Sequence, residues 1–200
     1  DAALRDWQRG EHGRAGRRAT ALAQVSPGHA GAWHLAALAA REQGDEAGAR
    51  AAFLRALPLA PADATIRYNA GALYERAGRL DLAVALYRRA VALAPDWTEA
   101  RAALAETLNR RAARALDHNR PADALADLAP ALELAPAQPD AWNNAALALL
   151  GLGRLDEACG AHDEAQRLAP DDARYRWNAA YTRLAAGQIA AGWADYRWRW

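Results

Sequence analysis

The sequence predicts an all-α fold, a solenoid of stacked antiparallel helix pairs, and three observations carry that reading. Five prolines, Pro27, Pro61, Pro95, Pro136 and Pro170, stand 34, 34, 41 and 34 residues apart, the mark of a unit repeated at a fixed period. Gly10, Gly44, Gly78, Gly153 and Gly187 hold a second register where each pair must turn, and Asn119 fills the remaining slot, asparagine being the residue that best replaces glycine in a left-handed backbone. Small residues keep a third register: Ala3, Ala37, Gly71, Ala105, Ala146 and Ala180 in the first helices, Ala15, Ala49, Ala83, Ala124, Ala158 and Gly192 in the second. Helices that cross closely need small side chains at the crossing, while Phe53, Tyr87, Leu128 and Tyr196 fill the spaces between repeats.

The clearest unit is residues 64–95, two apolar helical patterns that meet at Gly78 and end at Pro95. Neither helix buries its apolar stripe alone, so the unit requires copies on both sides. The long spacing exceeds the others by 7 residues, about two helical turns at ~3.6 residues each, which lengthens a helix without turning its apolar face far. That insertion is expected before Asn119, in the first helix of its repeat. The chain then divides into a partial repeat 1–29, repeats 30–63, 64–97, 98–138 (long) and 139–172, and a partial repeat 173–200, together one elongated module.

In order along the chain, residues 1–9 read as a remnant first helix and 11–25 as its partner. Arg14, Arg17 and Arg18 share a helix face that is read as solvated. Residues 30–43 and 45–59 form the next pair, with Pro58 expected to shorten its last turn. The lengthened helix spans about residues 98–118, and Asn109, Arg110, Arg111, Arg114 and His118 decorate its two added turns, which serve either as a recognition element or as a neutral insertion. Pro121 suits a first helical turn, and Pro130 is expected to kink the following helix.

Composition narrows the function classes. The net charge is +1 from 25 basic and 24 acidic residues, and all the basic residues are arginine. Such a balance gives no electrostatic case for a nucleic-acid or membrane partner. No stretch approaches the ~18 uninterrupted apolar residues of a membrane span. Cys159 is alone, which excludes an internal disulfide and fits a reducing compartment; it is expected as a small buried or half-buried side chain. The arginine-only, alanine-rich usage matches a GC-rich bacterial genome, and the expected location is the cytoplasm, although Asp1 lies in mid-helix and a preceding signal segment stays open.

No catalytic, phosphate-binding or metal signature is present, and no active site, cofactor or metal is assigned. The five histidines lie in different repeats without an i, i+4 pair. His162, in the sequence His162-Asp163-Glu164, is expected on the surface.

Trp-x-x-Ala-Ala at Trp33, Gly71 with Tyr74, then Ala83, Tyr87, Ala90 and Pro95 are similar to the tetratricopeptide repeat, and the resemblance covers essentially the whole chain. It implies a right-handed superhelix whose concave groove is lined by the first helix of each pair. On that register Asn69, Asn144 and Asn178 share one position in three repeats, interrupted by Leu35 and Ala103. A carboxamide both donates and accepts, so such a line can read the backbone of an extended peptide; alternatively each Asn bonds a neighbouring helix. The line resembles the asparagine ladder of the repeat domain in O-linked N-acetylglucosamine transferases. Neighbouring groove positions are His34, Arg41, Tyr68, Glu75, Arg76, Glu106, Asn109, Asn143, Trp177 and Tyr181. Tetratricopeptide domains that clamp the carboxylate tail of heat-shock chaperones carry basic residues where this chain has Glu99 and Ala103, which argues against that ligand.

The final stretch, Gly192-Trp-Ala-Asp-Tyr-Arg-Trp-Arg-Trp200, resembles the segment that closes the repeat region of bacterial tetratricopeptide proteins just before a glycosyltransferase domain. Trp193, Tyr196 and Trp200 share a helix face, read either as a cap on Trp177 and Tyr181 or as a docking surface. The expected function is a non-catalytic scaffold that binds an extended peptide or a partner helix. Two alternatives are the substrate-presenting region of a glycosyltransferase whose catalytic domain lies beyond residue 200, and self-association through the end repeats.

Overall fold

A left-handed residue ends every first helix. Gly10, Gly44, Gly78, Gly153 and Gly187 have φ between 69° and 77°, and Asn119 has φ 53°. At each of these positions the following residue donates its N–H five residues back, as Arg79 does to the Tyr74 carbonyl at 2.9 Å and Arg120 to Ala115 at 2.8 Å. The left-handed residue itself donates three back, as Gly78 does to Glu75 and Asn119 to Leu116. These bonds occupy carbonyls that the helix end would otherwise leave open, and they reverse the chain into the second helix.

The structure is a computed structural model that describes residues 2–197. Among them are twelve helices and no strands: α1 (Ala2–Gln8), α2 (His12–Val25), α3 (Ala30–Glu42), α4 (Glu46–Leu59), α5 (Ala64–Arg76), α6 (Leu80–Leu93), α7 (Thr98–Asp117), α8 (Pro121–Leu134), α9 (Pro139–Gly151), α10 (Leu155–Leu168), α11 (Ala173–Ala185) and α12 (Ile189–Tyr196). This is the all-α helical-repeat class that the sequence predicts. Helix α7 has 20 residues where α3, α5, α9 and α11 have 13.

Second helices α4, α6, α8 and α10 each end two residues before a proline. The residue between has φ near −139° and ψ near 76° after α10, outside the helical region that the following proline ring disfavours. Three first helices, α3, α5 and α11, start on side-chain caps: Asp63 accepts from the N–H groups of Thr65 and Ile66, Asp172 from Arg174, and the His29 ring from Ala32. The proline loop is pinned from one recurring slot. Trp33 donates its indole N–H to the Pro27 carbonyl at 2.9 Å, Trp142 to Pro136 at 2.8 Å, and Arg176 to Pro170.

One proline expectation needs correction. Pro58 does not shorten its helix, because α4 has the same 14 residues as α6; in a last turn the missing N–H deprives only the carbonyl of Leu54, a residue on the exposed side. Helix α8 starts at Pro121 and holds Pro130 within its span to Leu134.

The helices gather into two compact units, Asp1–Ala100 and Arg101–Trp200. In the first, Phe53, Ile66, Leu35 and Leu73 form the core with a floor of alanines. In the second, Leu128, Ala112, Ala124 and Ala141 form one cluster and Ala146, Leu149, Ala158 and Ala161 another. All twelve small register residues are buried. Two of them are closed to any larger side chain: a Cβ on Gly71 would meet the Tyr87 ring at 2.9 Å, and one on Gly192 the Leu184 side chain at 2.7 Å.

The turn geometry sets a test. Gly78→Ala places a Cβ in a left-handed backbone and is expected to cost about 1–2 kcal/mol, while Asn119→Gly is expected to leave stability within about 0.5 kcal/mol or raise it. Urea unfolding followed by circular dichroism measures both, and equal losses at the two positions would contradict the shared turn.

Candidate functional site

The asparagine line is a set of bonds between neighbouring first helices. In the second unit Asn144 of α9 donates its Nδ2 to the Oδ1 of Asn109 on α7 at 2.8 Å, and Asn178 of α11 donates to Asn143 of α9 at 2.9 Å. In the first unit Asn69 of α5 donates to His34 Nε2 of α3 at 3.0 Å. Every one of these bonds spans 35 residues, one period plus one position. Asn69 and Asn178 therefore meet the residue just before the ladder slot of the preceding repeat, and Asn144 meets Asn109, which holds that place in the long repeat when it is counted back from the Asn119 turn. Tyr175 of α11 repeats the spacing with its hydroxyl on Asp140 at 2.7 Å.

Burial divides the two partners. The acceptors Asn109 and Asn143 are buried, whereas Asn69, Asn144 and Asn178 are half-buried. A buried carboxamide without a partner would cost about 1–3 kcal/mol, so the bond is required of the acceptors before any ligand is considered. The sequence pattern matches this demand. Where the acceptor slot is His34, Asn109 or Asn143, the next repeat has Asn; where it is Tyr68, the next repeat has Ala103.

Other predicted groove residues fall around this framework. Tyr68 stacks between Tyr87 and Trp97, with centroids 5.5 and 4.7 Å away, and Glu75 accepts from the Tyr87 hydroxyl at 2.9 Å. Arg76 ends α5 on the exposed surface. Trp177 and Tyr181 lie one turn apart on α11 and are both exposed. Trp193 and Tyr196 share the face expected of them: the Tyr196 ring lies 5.1 Å from Trp177 and 5.2 Å, edge-on, from Trp193. Trp200 lies outside the described residues.

Three polar features differ from the sequence expectation or escaped it. Asn109 and Arg111 do not decorate a free surface: Asn109 is buried, and Arg111 makes two 2.6 Å bonds to Asp127 of α8. His162 is fully buried, not on the surface. Its Nε2–H donates to Thr182 Oγ1 at 3.1 Å, while the Thr182 hydroxyl donates to the Asn178 carbonyl, leaving Nδ1 without a partner. Finally, the first and last pairs each close on a buried aspartate with opposite polarity. Asp6 of α1 takes Arg18 of α2 at 2.6 Å, and Arg183 of α11 takes Asp195 of α12 and Asp163 of α10. These positions coincide in the repeat register and hold Ala40 with Ala52, or Tyr74 with Leu86, in the pairs of the first unit.

Burial sets the protonation states. It pushes His34 below the usual histidine range, with Asp63 opposing and Arg41 assisting, so the neutral ring keeps the Nε2 lone pair that Asn69 needs. Burial, then Arg183, lowers His162 to about 4. The Cys159 thiol is buried and pushed up for the same reason, which fits a packing residue and not a nucleophile. Tyr175 rises to about 12 through burial and its bond to Asp140.

Residues 1–64 and 109–173 match one tetratricopeptide repeat model, and residues 65–107 match a second. The chain belongs to the tetratricopeptide repeat family. Its fold is that of a protein-interaction scaffold. Protein FlbA of Caulobacter vibrioides is 30% identical over 164 residues, 82% of this chain and 26% of FlbA, so the chain spans about a quarter of that relative. Among solved structures, MamA is similar with a TM-score of 0.64 at 18% identity, covering 84% of this chain and 88% of MamA. YrrB, a tetratricopeptide protein with an unusual peptide-binding site, has a TM-score of 0.62 at 20% identity, covering 88% of each chain. Among the described residues no helix is long and apolar enough to cross a membrane.

The histidines give this framework an acid limit. A buried ring with a lowered pKa binds fewer protons folded than unfolded, so its stability is complete above pH ~6.5 and is lost as pH falls toward the folded value. For His162, at about 4, the loss is on the order of 3 kcal/mol. Thermal melts are expected to fall between pH 6.5 and 4, and to fall less steeply in His162→Gln; an unchanged slope in that variant would count against the assignment.

Proposed function

We propose that the first-helix face of the second unit binds an extended peptide. The observation that supports this reading is the division of labour among the asparagines. Asn109 and Asn143 are consumed by the helix contacts, while the half-buried Asn144 and Asn178 spend one N–H each on them. Their carboxamides retain capacity for a peptide backbone, whose evenly spaced N–H and C=O groups need a donor and an acceptor from each reader. Trp177 and Tyr181 flank Asn178 on α11 and offer apolar faces for peptide side chains. Asn69, Tyr68 and Arg76 form a second, shorter set on α5 of the first unit.

A second reading is favoured by the resemblance of the segment from Gly192 to Trp200: the chain would present substrates within a longer bacterial glycosyltransferase. A nucleotide-sugar domain in the full reading frame supports it, and its absence there removes it.

The bonds to the neighbouring helix change the choice of test. Replacing all three ladder asparagines by Ala is expected to lower the melt as well as the affinity, since each removes a hydrogen bond worth about 1 kcal/mol. Trp177→Ala and Tyr181→Ala act on exposed side chains; Tyr181→Ala isolates binding, while Trp177→Ala also removes the ring packed on Tyr196. Unstructured twelve-residue peptides selected from a random phage library, with wild-type affinity read by fluorescence polarisation, supply the probe. Each variant is expected to lose about tenfold in affinity, or about 1.4 kcal/mol, with an unchanged melt in Tyr181→Ala. Selected peptides that bind both variants at full strength would overturn the reading.

A further inference from the structure

We propose that the groove between α2 and α4 is a second docking site, one that seats an aromatic side chain of an acidic peptide. It lies wholly within the first unit and is walled by second helices, so it is independent of the first-helix face of the second unit.

One place in the repeat register joins the two helices of a pair through large or charged side chains. It holds Asp6 with Arg18 in the first pair, Tyr74 with Leu86 in the third, Leu149 with Ala161 in the fifth and Arg183 with Asp195 in the last. In the long repeat Asp127 stands there and takes Arg111. Only the pair of α3 and α4 has alanine at both positions, Ala40 and Ala52. The structure opens at that point. Two cavities of about 350 and 430 Å³ share Thr20, Ala36, Ala40 and Asp45, so they form one groove with α3 as its floor and α2 and α4 as its walls. The walls are thinned as well: Thr20 and Gly48 stand where the next repeat has Leu54 and Leu82.

The repeat itself shows what fits. One period on, the half-buried Tyr74 ring and Leu86 side chain occupy the equivalent positions, with Leu86 packed on the core of the unit. An aromatic side chain from outside restores the dispersion contacts that Ala40 and Ala52 leave unmade. Charge selects the rest of the occupant. Arg17 lines one cavity and Arg55 the other. Both are exposed, and among the described residues no hydrogen bond or ion pair holds either. Their neighbours are already answered, Arg14 by Glu11 and Arg18 by Asp6. The carboxylate inside the groove, Asp45, is engaged as the cap of α4 and accepts the Gly48 N–H at 2.8 Å. Two open guanidinium groups beside an apolar slot match an aromatic residue flanked by Asp or Glu, whose carboxylates each guanidinium can take in a paired, charge-assisted contact.

The next repeat also supplies the test variant. Ala40→Tyr with Ala52→Leu imports the pair found on α5 and α6 and closes the groove, and its melt is expected to stay at or above that of the wild type. Random twelve-residue peptides displayed on phage are selected on the full chain and counter-selected on this filled variant. The surviving pool is expected to centre on Trp, Tyr or Phe flanked by Asp and Glu. By fluorescence polarisation these peptides are expected to bind the filled variant, and the Arg17→Gln, Arg55→Gln double variant, about tenfold more weakly than the wild type. Their affinity is expected to fall as salt rises and to be unchanged in Tyr181→Ala, which separates this site from the face of α11. If the filled variant loses its fold, the arginine double variant, changed only at exposed side chains, takes its place in the counter-selection and decides alone. A pool that is empty or lacks acidic residues around an aromatic one, or an affinity that persists in the arginine double variant, overturns the proposal.

Discussion

The structure depends on one backbone constraint, the left-handed residue that closes each first helix. With Gly or Asn at that position the N–H groups of two consecutive residues turn back onto open carbonyls, as at Gly78 and Arg79, and the chain must reverse. The reversal sets each second helix antiparallel to its partner. It also fixes the register in which Ala37, Ala49, Gly71 and Ala83 are all buried. At Gly71 this register is used twice. The missing side chain admits the Tyr87 ring, and the Tyr87 hydroxyl then reaches Glu75 on the same first helix. A backbone torsion thus decides where a polar contact can form.

The same register explains why polar groups recur at a 35-residue spacing inside an otherwise apolar stack. A first helix meets its predecessor one period earlier with an offset of one residue, so Asn144 faces Asn109 and Asn178 faces Asn143. Two such bonds in one unit order three first helices by matching donors to acceptors, a more exacting requirement than alanine packing imposes. The ion pairs Asp6 with Arg18 and Arg183 with Asp195 join α1 to α2 and α11 to α12 through a partly buried charge contact.

Much of the fold was legible because proline and glycine act locally. Pro95 and Gly78 report their own torsions, and Asn119 revealed itself by standing where a glycine should be. The candidate site was legible in part. Periodicity located Asn69, Asn144 and Asn178 on one register, but it compared each residue with its equivalents and not with the residue one position earlier that it touches. Reading polar pairs at one period plus one would have joined Asn144 to Asn109, Asn178 to Asn143, and Tyr175 to Asp140. His162 was hidden for another reason. Its neighbours Asp163 and Glu164 suggested solvent, yet helical residues one apart point about 100° away from each other, so an acidic surface says nothing about the adjacent ring. Arg111 looked free because its partner Asp127 lies on the next helix, beyond the turn.

The central claim is that the ladder asparagines hold first helices together through specific carboxamide pairs. A double-mutant cycle on Asn143→Ala and Asn178→Ala, measured by urea unfolding, tests it most directly. The account predicts a coupling of about 1 kcal/mol, with the double variant less destabilised than the sum of the single ones. Strict additivity within about 0.3 kcal/mol would contradict it.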